Sequence, residues 1–281
     1  MTEAQTKKYF NYTRRFYRIF WHGETHALHY GFFDEQNQDL PAALENMNRK
    51  TVESVAIQST DLVADFGFGV GGTAFFVARE IGATVYGITL SEAQYIKAQE
   101  LRSRYRLESK THFKVGNYFS SDYVSEKFDV VYGIEAMCYG QYNVTALVKE
   151  IFRVLKPGGR VTIVDGYIGH RVLAQNEVDT IRVFEKGFAI KQMITSEDFM
   201  DALRLEGFVD VRFEDWTEYI LPTAEYMYSM TKRWYVFTWI LTALRLVPRL
   251  MLDNNITGQV QRDLFKTGAL CYGCITAVKP K

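Results

Sequence analysis

A glycine-rich loop is the most constraining feature of this sequence, because it dictates how one strand must pass into a helix. The loop reads DFGFGVGG over residues 65–72 and overlaps the end of the apolar segment Leu62–Phe66. Glycines at such a junction let the backbone turn tightly and bring the amides of the helix N-terminus close to a ligand. Gly67, Gly69 and Gly72 also fit the G-x-G-x-x-G spacing of dinucleotide-binding proteins. The loop alone therefore leaves the ligand open, and a tight turn that binds nothing is the remaining alternative.

Strand-like and helix-like segments alternate from Asp61 onwards. This alternation predicts an α/β fold with a doubly wound parallel sheet and helices on both faces. The predicted strands are Leu62–Phe66, Ala83–Thr89, Thr111–Val115, Phe128–Tyr132, Arg160–Asp165, Val209–Phe213 and Cys271–Val278. The predicted helices of this region are Gly71–Ile81, Ser91–Arg106, Tyr142–Leu155, Val172–Gly187 and Ser196–Glu206.

The segments outside this alternation predict a helical cap. We expect residues 1–58 to form an N-terminal cap with a substrate loop, built on helices at Lys7–Phe20 and Leu40–Ile57. Residues 59–281 are expected to form the core, with lid insertions at about 168–194 and 222–262. The second insertion holds a helical stretch, Ala224–Leu250, that is apolar nearly all round from Met227 onwards. We expect a lid over the substrate there, with a dimer face or a membrane-surface contact as alternatives.

The composition limits the partners and the compartment. Lys+Arg and Asp+Glu number 33 each, so the bulk charge favours neither nucleic acid nor an anionic membrane. The apolar run Trp234–Leu244 is shorter than the roughly 20 residues that cross a bilayer, and the N-terminus lacks the apolar core of a signal peptide. Three cysteines cannot build a disulfide framework, which predicts a cytoplasmic protein with Cys271 and Cys274 as core thiols. A small apolar molecule is the expected partner, and a homo-oligomer stays open.

Further motifs around the loop resemble those of class I S-adenosylmethionine (SAM)-dependent methyltransferases. Asp65 stands just before the glycines, where a carboxylate could pair with the ammonium group of the methionine moiety, and a KPGG turn follows at residues 156–159. The resemblance covers about Val63 to Val164. It implies SAM as the cofactor, a Rossmann-like sheet of seven strands with an antiparallel last hairpin, and cofactor contacts from Asp65, Gly67, Gly69 and Gly71.

Other segments are similar to sterol side-chain, tocopherol and prenyl diphosphate methyltransferases. These segments are GITLS at residues 87–91 with Gln94, GNY at 116–118, YGIEAMCY at 132–139 and LHYGFFD at 28–34. By this resemblance, further cofactor contacts are expected from Thr89, Leu90, Ser91, Gln94, Asn117, Tyr118 and Ile134. Tyr139 stands where histidine is usual in these enzymes.

The resemblance implies transfer of a methyl group to an alkene carbon of an isoprenoid or lipid-like acceptor, which leaves a carbocation. Glu135 would lie at the carboxyl end of the fourth strand, where ligands bind in open parallel sheets, and is the expected base. His29 and Tyr30 complete the predicted catalytic group. Aromatic faces stabilise cations, so the predicted substrate-binding residues are Tyr17, Trp21, Tyr139, Phe188 and Trp216.

Two alternatives and one metal hypothesis remain beside this interpretation. An O- or N-methyltransferase acting on a small aromatic compound would show the same cofactor motifs, as would a SAM-binding protein without turnover. His22, Glu24, His26 and His29 are grouped in the sequence, but no carboxylate pair completes a metal site, so none is predicted. Mg²⁺ is expected only for a diphosphate acceptor, whose phosphates Arg14, Arg15 and Arg18 could then hold.

Overall fold

A seven-stranded mixed sheet forms the centre of the protein in a computed structural model, of which residues 6–7, 9–13 and 25–281 are described. The strands are β1 Leu62–Phe66, β2 Thr84–Thr89, β3 Thr111–Val115, β4 Phe128–Ile134, β5 Leu155–Ile168, β6 Val209–Asp215 and β7 Leu270–Val278. Their order is β3-β2-β1-β4-β5-β7-β6. Neighbouring strands from β3 to β5 are parallel, whereas β7 runs antiparallel to β5 and β6. The predicted Rossmann-like methyltransferase fold is therefore confirmed.

Helices cover both faces of this sheet. They are α1 Leu40–Ser54, α2 Gly72–Phe76, α3 Glu92–Tyr105, α4 Val144–Val154, α5 Gln175–Gly187, α6 Ser196–Glu206, α7 Thr217–Ala243 and α8 Arg249–Lys266. A π-helical turn, Val77–Ile81, extends α2. The Ser91 hydroxyl caps α3 by accepting a hydrogen bond from the Gln94 amide at 3.2 Å, as expected for serine before a helix.

Several element ends differ from the predicted ones by a few residues, and two predictions are wrong in kind. The predicted helical stretch Ala224–Leu250 belongs to two helices, because α7 ends at Ala243 and α8 begins at Arg249. Residues 244–248 form the turn between them, and Pro248 directly precedes α8 as its N-cap residue. At residues 156–159, the expected turn is a bulged beginning of β5. There the pairing register with β4 shifts and Gly158 adopts a φ of +76°.

Three groups of buried apolar side chains hold these layers together. One lies between the sheet and helices α4 and α6, and a second between the sheet and α2 and α3. The third joins the ends of β4, β5 and β7 to α5, α7 and α8, and contains Tyr30, Ile181, Met227 and Phe265. This third group surrounds the cavities described next. None of the described helices is long and apolar enough to cross a membrane.

Candidate active site

The glycine loop turns from β1 into α2 through three left-handed residues. Gly67, Gly69 and Gly71 have φ values of +93°, +57° and +94°, a region that side chains disfavour. A Cβ atom at Gly67 would lie 2.4 Å from the Cβ of Ala136, so the turn also requires close approach to β4. The loop lines a first cavity together with Asp65, Ile134 and the segment His26–His29. We call it the loop cavity.

Asp65 places a carboxylate in this cavity at the end of β1. The side chain is buried, and one oxygen accepts a hydrogen bond of 2.6 Å from the Tyr132 hydroxyl. Burial raises the pKa of Asp65 to about 7, and the Tyr132 hydrogen bond only partly opposes this. A buried carboxylate with a neutral partner calls for a cation, which the ammonium group of SAM would supply. The residues present thus fit the cofactor that the sequence implied.

A second cavity shares Leu28 and His29 with the loop cavity and therefore adjoins it. Aromatic and aliphatic side chains dominate its lining, with the carboxylates of Glu135 and Asp165 at one side. The apolar lining consists of Tyr9, Phe10, Leu28, Tyr30, Tyr139, Phe184, Phe188, Ile190, Met193, Met227, Phe265 and Tyr272, and other lining residues include Thr13, His29, Gln94 and Cys138. We call it the acceptor cavity.

Glu135 is held in this cavity by its backbone and by two donors. It follows β4 directly, its amide donates to the Val164 carbonyl, and its φ of +48° is unusual for a residue with a side chain. Such conformations concentrate at functional sites. Its Oε1 accepts hydrogen bonds from the Tyr30 amide at 2.6 Å and the Tyr272 hydroxyl at 2.9 Å. Burial nevertheless raises the pKa of Glu135 to about 8, and Asp165 nearby also raises it.

Asp165 is the second buried carboxylate of the acceptor cavity. Its oxygens accept hydrogen bonds from the Cys138 amide and from its neighbour Gly166, both at 2.8 Å. Burial raises the pKa of Asp165 to about 6, less than that of Glu135, because more donors oppose the effect. Two interacting acids of unequal pKa are a common arrangement where one must accept a proton.

Known proteins share both the sequence pattern and this architecture. A family model described as mycolic acid cyclopropane synthetase matches residues 1–218, more than three quarters of the chain. The chain belongs to this family. Tocopherol O-methyltransferase, chloroplastic, from Arabidopsis thaliana is 26% identical over 307 residues, which cover 99% of this chain and 84% of that protein. The chain is a class I SAM-dependent methyltransferase.

Two further similarities fit this family. Sterol 24-C-methyltransferase ERG6 from Saccharomyces cerevisiae is 32% identical over 158 residues, covering 56% of this chain and 40% of that protein. The chain thus matches less than half the length of the yeast enzyme. Geranyl diphosphate C-methyltransferase from Streptomyces coelicolor A3(2), solved with Mg²⁺, geranyl diphosphate and S-adenosyl-L-homocysteine, has a TM-score of 0.76 at 18% identity. That superposition covers 99% of this chain and 98% of the other, and shows a shared fold.

Of the predicted cofactor residues in this methyltransferase, Asp65, Gly67, Gly69 and Ile134 line the loop cavity. Five others lie at the ends of β2 and β3, outside that lining: Thr89, Leu90, Ser91, Asn117 and Tyr118. Gly71 is also outside it, whereas its neighbour Gly72 lines the cavity. The Thr89 hydroxyl donates to Gln94 Oε1 at 2.9 Å, and Gln94 lines the acceptor cavity instead. The Tyr118 hydroxyl donates to the Ala136 carbonyl at 2.9 Å.

The predicted catalytic residues lie together. His29 is buried, with Nδ1 2.8 Å from the Tyr30 carbonyl and Nε2 3.1 Å from the Asn48 side-chain oxygen. Burial lowers the pKa of His29 and so favours its neutral ring. His29 thus contacts the carbonyl of Tyr30, and the amide of the same residue donates to Glu135.

The predicted substrate residues separate into three groups. Tyr139 and Phe188 line the acceptor cavity, and the Tyr139 hydroxyl donates to the Phe188 carbonyl at 3.0 Å. Trp216 is buried against Phe32, at 5.3 Å between ring centroids, and is not a lining residue. Tyr17 and Trp21 lie outside the described residues, as do Arg14, Arg15, Arg18, His22 and Glu24.

Three functional candidates escaped the sequence analysis. Asp165 ends a predicted strand and could have been found by the same rule that identified Glu135. Tyr132 also ends a predicted strand, but its pairing with Asp65 follows only from the sheet register. Tyr272 gave no signal, because its contact with Glu135 depends on the antiparallel return of β7. Cys271 and Cys274 are buried free thiols, which confirms the expectation for them. Among the described residues, no group of three or more His, Cys, Asp or Glu side chains could hold a metal.

Proposed function

We propose that this methyltransferase methylates an alkene carbon of an isoprenoid or similarly lipid-like acceptor, with Glu135 as the base. The position of Glu135 carries the proposal: a buried carboxylate stands in an aromatic-lined cavity that adjoins the cavity of Asp65 and the glycine loop. The relatives named for sterol and tocopherol substrates support an acceptor of this class.

The reaction balances with the residues present. SAM supplies an electrophilic methyl group, and the π electrons of the alkene form the new C–C bond as the C–S bond breaks. Glu135 then takes a proton from a carbon next to the carbocation. The electrons of that C–H bond form the new double bond and neutralise the positive charge. Positive charge beside Glu135 favours its carboxylate, which offsets the effect of burial. Rings such as Tyr139 and Phe188 stabilise the cation by up to about 2 kcal/mol each.

O-methylation of a phenol is the second candidate, favoured by the name of the tocopherol relative. In that reaction, Glu135 would take the hydroxyl proton and no carbocation would form. The two candidates therefore share a base and differ in the atom that receives the methyl group. Products with the label on carbon or on oxygen separate them.

The experiment uses ¹³C-methyl-labelled SAM with three acceptor pools: side-chain-unsaturated sterols, prenyl diphosphates with Mg²⁺, and prenylated phenols. We expect carbon-bound label in one of the first two pools. Label in the diphosphate pool would bring Mg²⁺ and the Arg14–Arg18 segment into the site. Oxygen-bound label in the phenol pool would favour the second candidate, and SAM binding without label in any pool would overturn both. Glu135→Gln should lower turnover by roughly 10²–10⁴-fold while SAM still binds.

A further inference from the structure

The end of α7 and the turn that follows carry a large exposed apolar surface. Its exposed side chains are Trp234, Tyr235, Val236, Phe237, Trp239, Ile240, Leu244 and Leu246, with accessibilities between 36% and 67%. The buried residues of α7 belong to its first half, from Ile220 to Thr231, and Met227 is the α7 residue that lines the acceptor cavity. The segment Trp234–Leu246, which we call the apolar tip, therefore extends beyond the part of α7 that closes the site.

The stretch of sequence that contains the apolar tip carries charge of one sign. From Tyr226 to Leu252 the sequence has four basic residues, Lys232, Arg233, Arg245 and Arg249, and no Asp or Glu. Lys232, Arg233, Arg245 and Arg249 are exposed. Beyond this stretch, Asp253 pairs with Arg249 at 3.3 Å and with Lys186 at 3.1 Å, so the uncompensated charge is centred on the other three. This local excess contrasts with the even balance of the whole chain.

The turn after α7 forms an open groove with both apolar and cationic walls. Trp239, Leu246 and Pro248 line it together with Arg245 and Arg249. Tyr12 lines the same groove, whereas Tyr9, Phe10 and Thr13 line the acceptor cavity. One short helical segment, residues 9–13, thus lies between the groove and the site.

We propose that the apolar tip rests on the surface of an anionic lipid bilayer. Trp and Tyr favour the boundary between hydrocarbon and water, and basic residues beside them are attracted to anionic headgroups. Monomeric soluble proteins rarely expose apolar patches of this kind without function. A second copy joined tip to tip would bring these basic residues together, because the tip has no Asp or Glu to offset them. The tip lies beyond residues 1–218, so the family match does not account for it.

The test measures co-sedimentation of the full chain with vesicles of phosphatidylcholine alone and of phosphatidylcholine with phosphatidylserine, without acceptor or SAM. We expect binding to the anionic vesicles that weakens as salt rises. Arg233→Glu should lower the partition constant at least about five-fold, because each basic residue near an anionic surface contributes that much. Trp239→Ser should also lower it. Lys149→Glu and Leu205→Ser, at exposed positions on other helices, are matched controls that should bind as the parent does.

Because no acceptor is present, this result does not depend on the proposed reaction. Equal binding to both vesicle types, or no loss in Arg233→Glu and Trp239→Ser, would overturn the proposal. A dimer in analytical ultracentrifugation that Trp239→Ser dissociates would assign the tip to a second copy. A fall in Tm for Trp239→Ser with vesicle binding unchanged would assign it to another segment of the chain.

Discussion

Among the side chains of the described residues, Tyr272 is the one that hydrogen-bonds the proposed base. Its hydroxyl donates to Glu135 Oε1 at 2.9 Å, and this hydrogen bond lowers the pKa of Glu135 against the larger opposing effect of burial. The backbone of Tyr272 is held in turn by Trp216, because the Trp216 amide donates to the Tyr272 carbonyl at 2.8 Å. Tyr272 is therefore a positioning residue that also sets how much carboxylate is present at a given pH.

Tyr272→Phe should raise the pKa of Glu135 by about one unit, since a hydrogen bond to a charged group contributes roughly 1.5–3 kcal/mol. We expect the acidic limb of the kcat/KM profile to move to higher pH, with about ten-fold lower activity near neutral pH and recovery in alkaline buffer. Tyr167→Phe is the matched control, because Tyr167 is equally buried and its hydroxyl has no hydrogen-bond partner. A uniform loss at every pH would contradict this role.

Glu135 should also weaken the fold at alkaline pH. Its pKa is about 8 in the folded protein and 4.5 ordinarily, so between these values the folded state holds a proton that the unfolded chain has released. The free energy of unfolding due to this group therefore falls as pH rises from 4.5 through about 8. A pKa difference of one unit corresponds to about 1.4 kcal/mol. The difference between the folded and the ordinary pKa of Glu135 therefore sets an upper limit on the free energy of unfolding that is lost.

Glu135→Gln should consequently be more stable than the parent, and the difference should grow with pH and level off above about 8. Glutamine keeps an oxygen that can accept from Tyr30 and Tyr272 but carries no charge. Urea unfolding without ligand, at about pH 6 and about pH 9, measures this. A variant less stable than the parent at both pH values would mean that Glu135 is held ionised by groups other than those described.

At the scale of helices and strands, the sequence predicts the sheet well because local patterns define each element. β1, β3 and α6 begin and end where the patterns indicated, since each is bounded by turn residues or a cap. The start of α7 was missed, because the sequence predicted a helix from Ala224, whereas α7 begins at Thr217 and continues through Pro222. Burial of Ile220, Thr223 and Ala224 around that proline outweighs one lost backbone hydrogen bond.

The sequence predicted the site residues whose location follows from their position in the chain. It did not predict the contacts that depend on packing between distant segments. Asp65 stands just before the glycines of the loop, and Glu135 follows β4 directly. Their approximate locations therefore follow from the fold. The pairing of Asp65 with Tyr132, and of Glu135 with Tyr272, requires the sheet register and the return of β7. Such contacts between residues 67 and 137 positions apart leave no local signal in one sequence.

Across the whole molecule, the segment His26–His29 and the sheet meet at the loop cavity, the predicted cofactor site. The segment His26–His29 packs against the glycine loop and lines the loop cavity with it, and Leu28 and His29 also line the acceptor cavity. A ligand held between these parts stabilises the folded state by mass action, by about 2.7 kcal/mol at a concentration of 100 Kd. The unfolding temperature is thus a measure of how the cofactor is held.

That stabilisation should depend on pH through Asp65. Its pKa is about 7 in the free protein, and the ligand ammonium favours the carboxylate, so affinity is full above about pH 7 and falls as Asp65 gains a proton below it. S-adenosylhomocysteine should raise Tm by roughly 5 °C at 100 Kd near pH 7.5, and clearly less near pH 5.5. In Asp65→Asn the shift should be small and nearly constant between these pH values. A parent Tm shift that is equal at both pH values would mean that the ammonium is bound elsewhere, and the loop cavity would then have to hold another part of the cofactor.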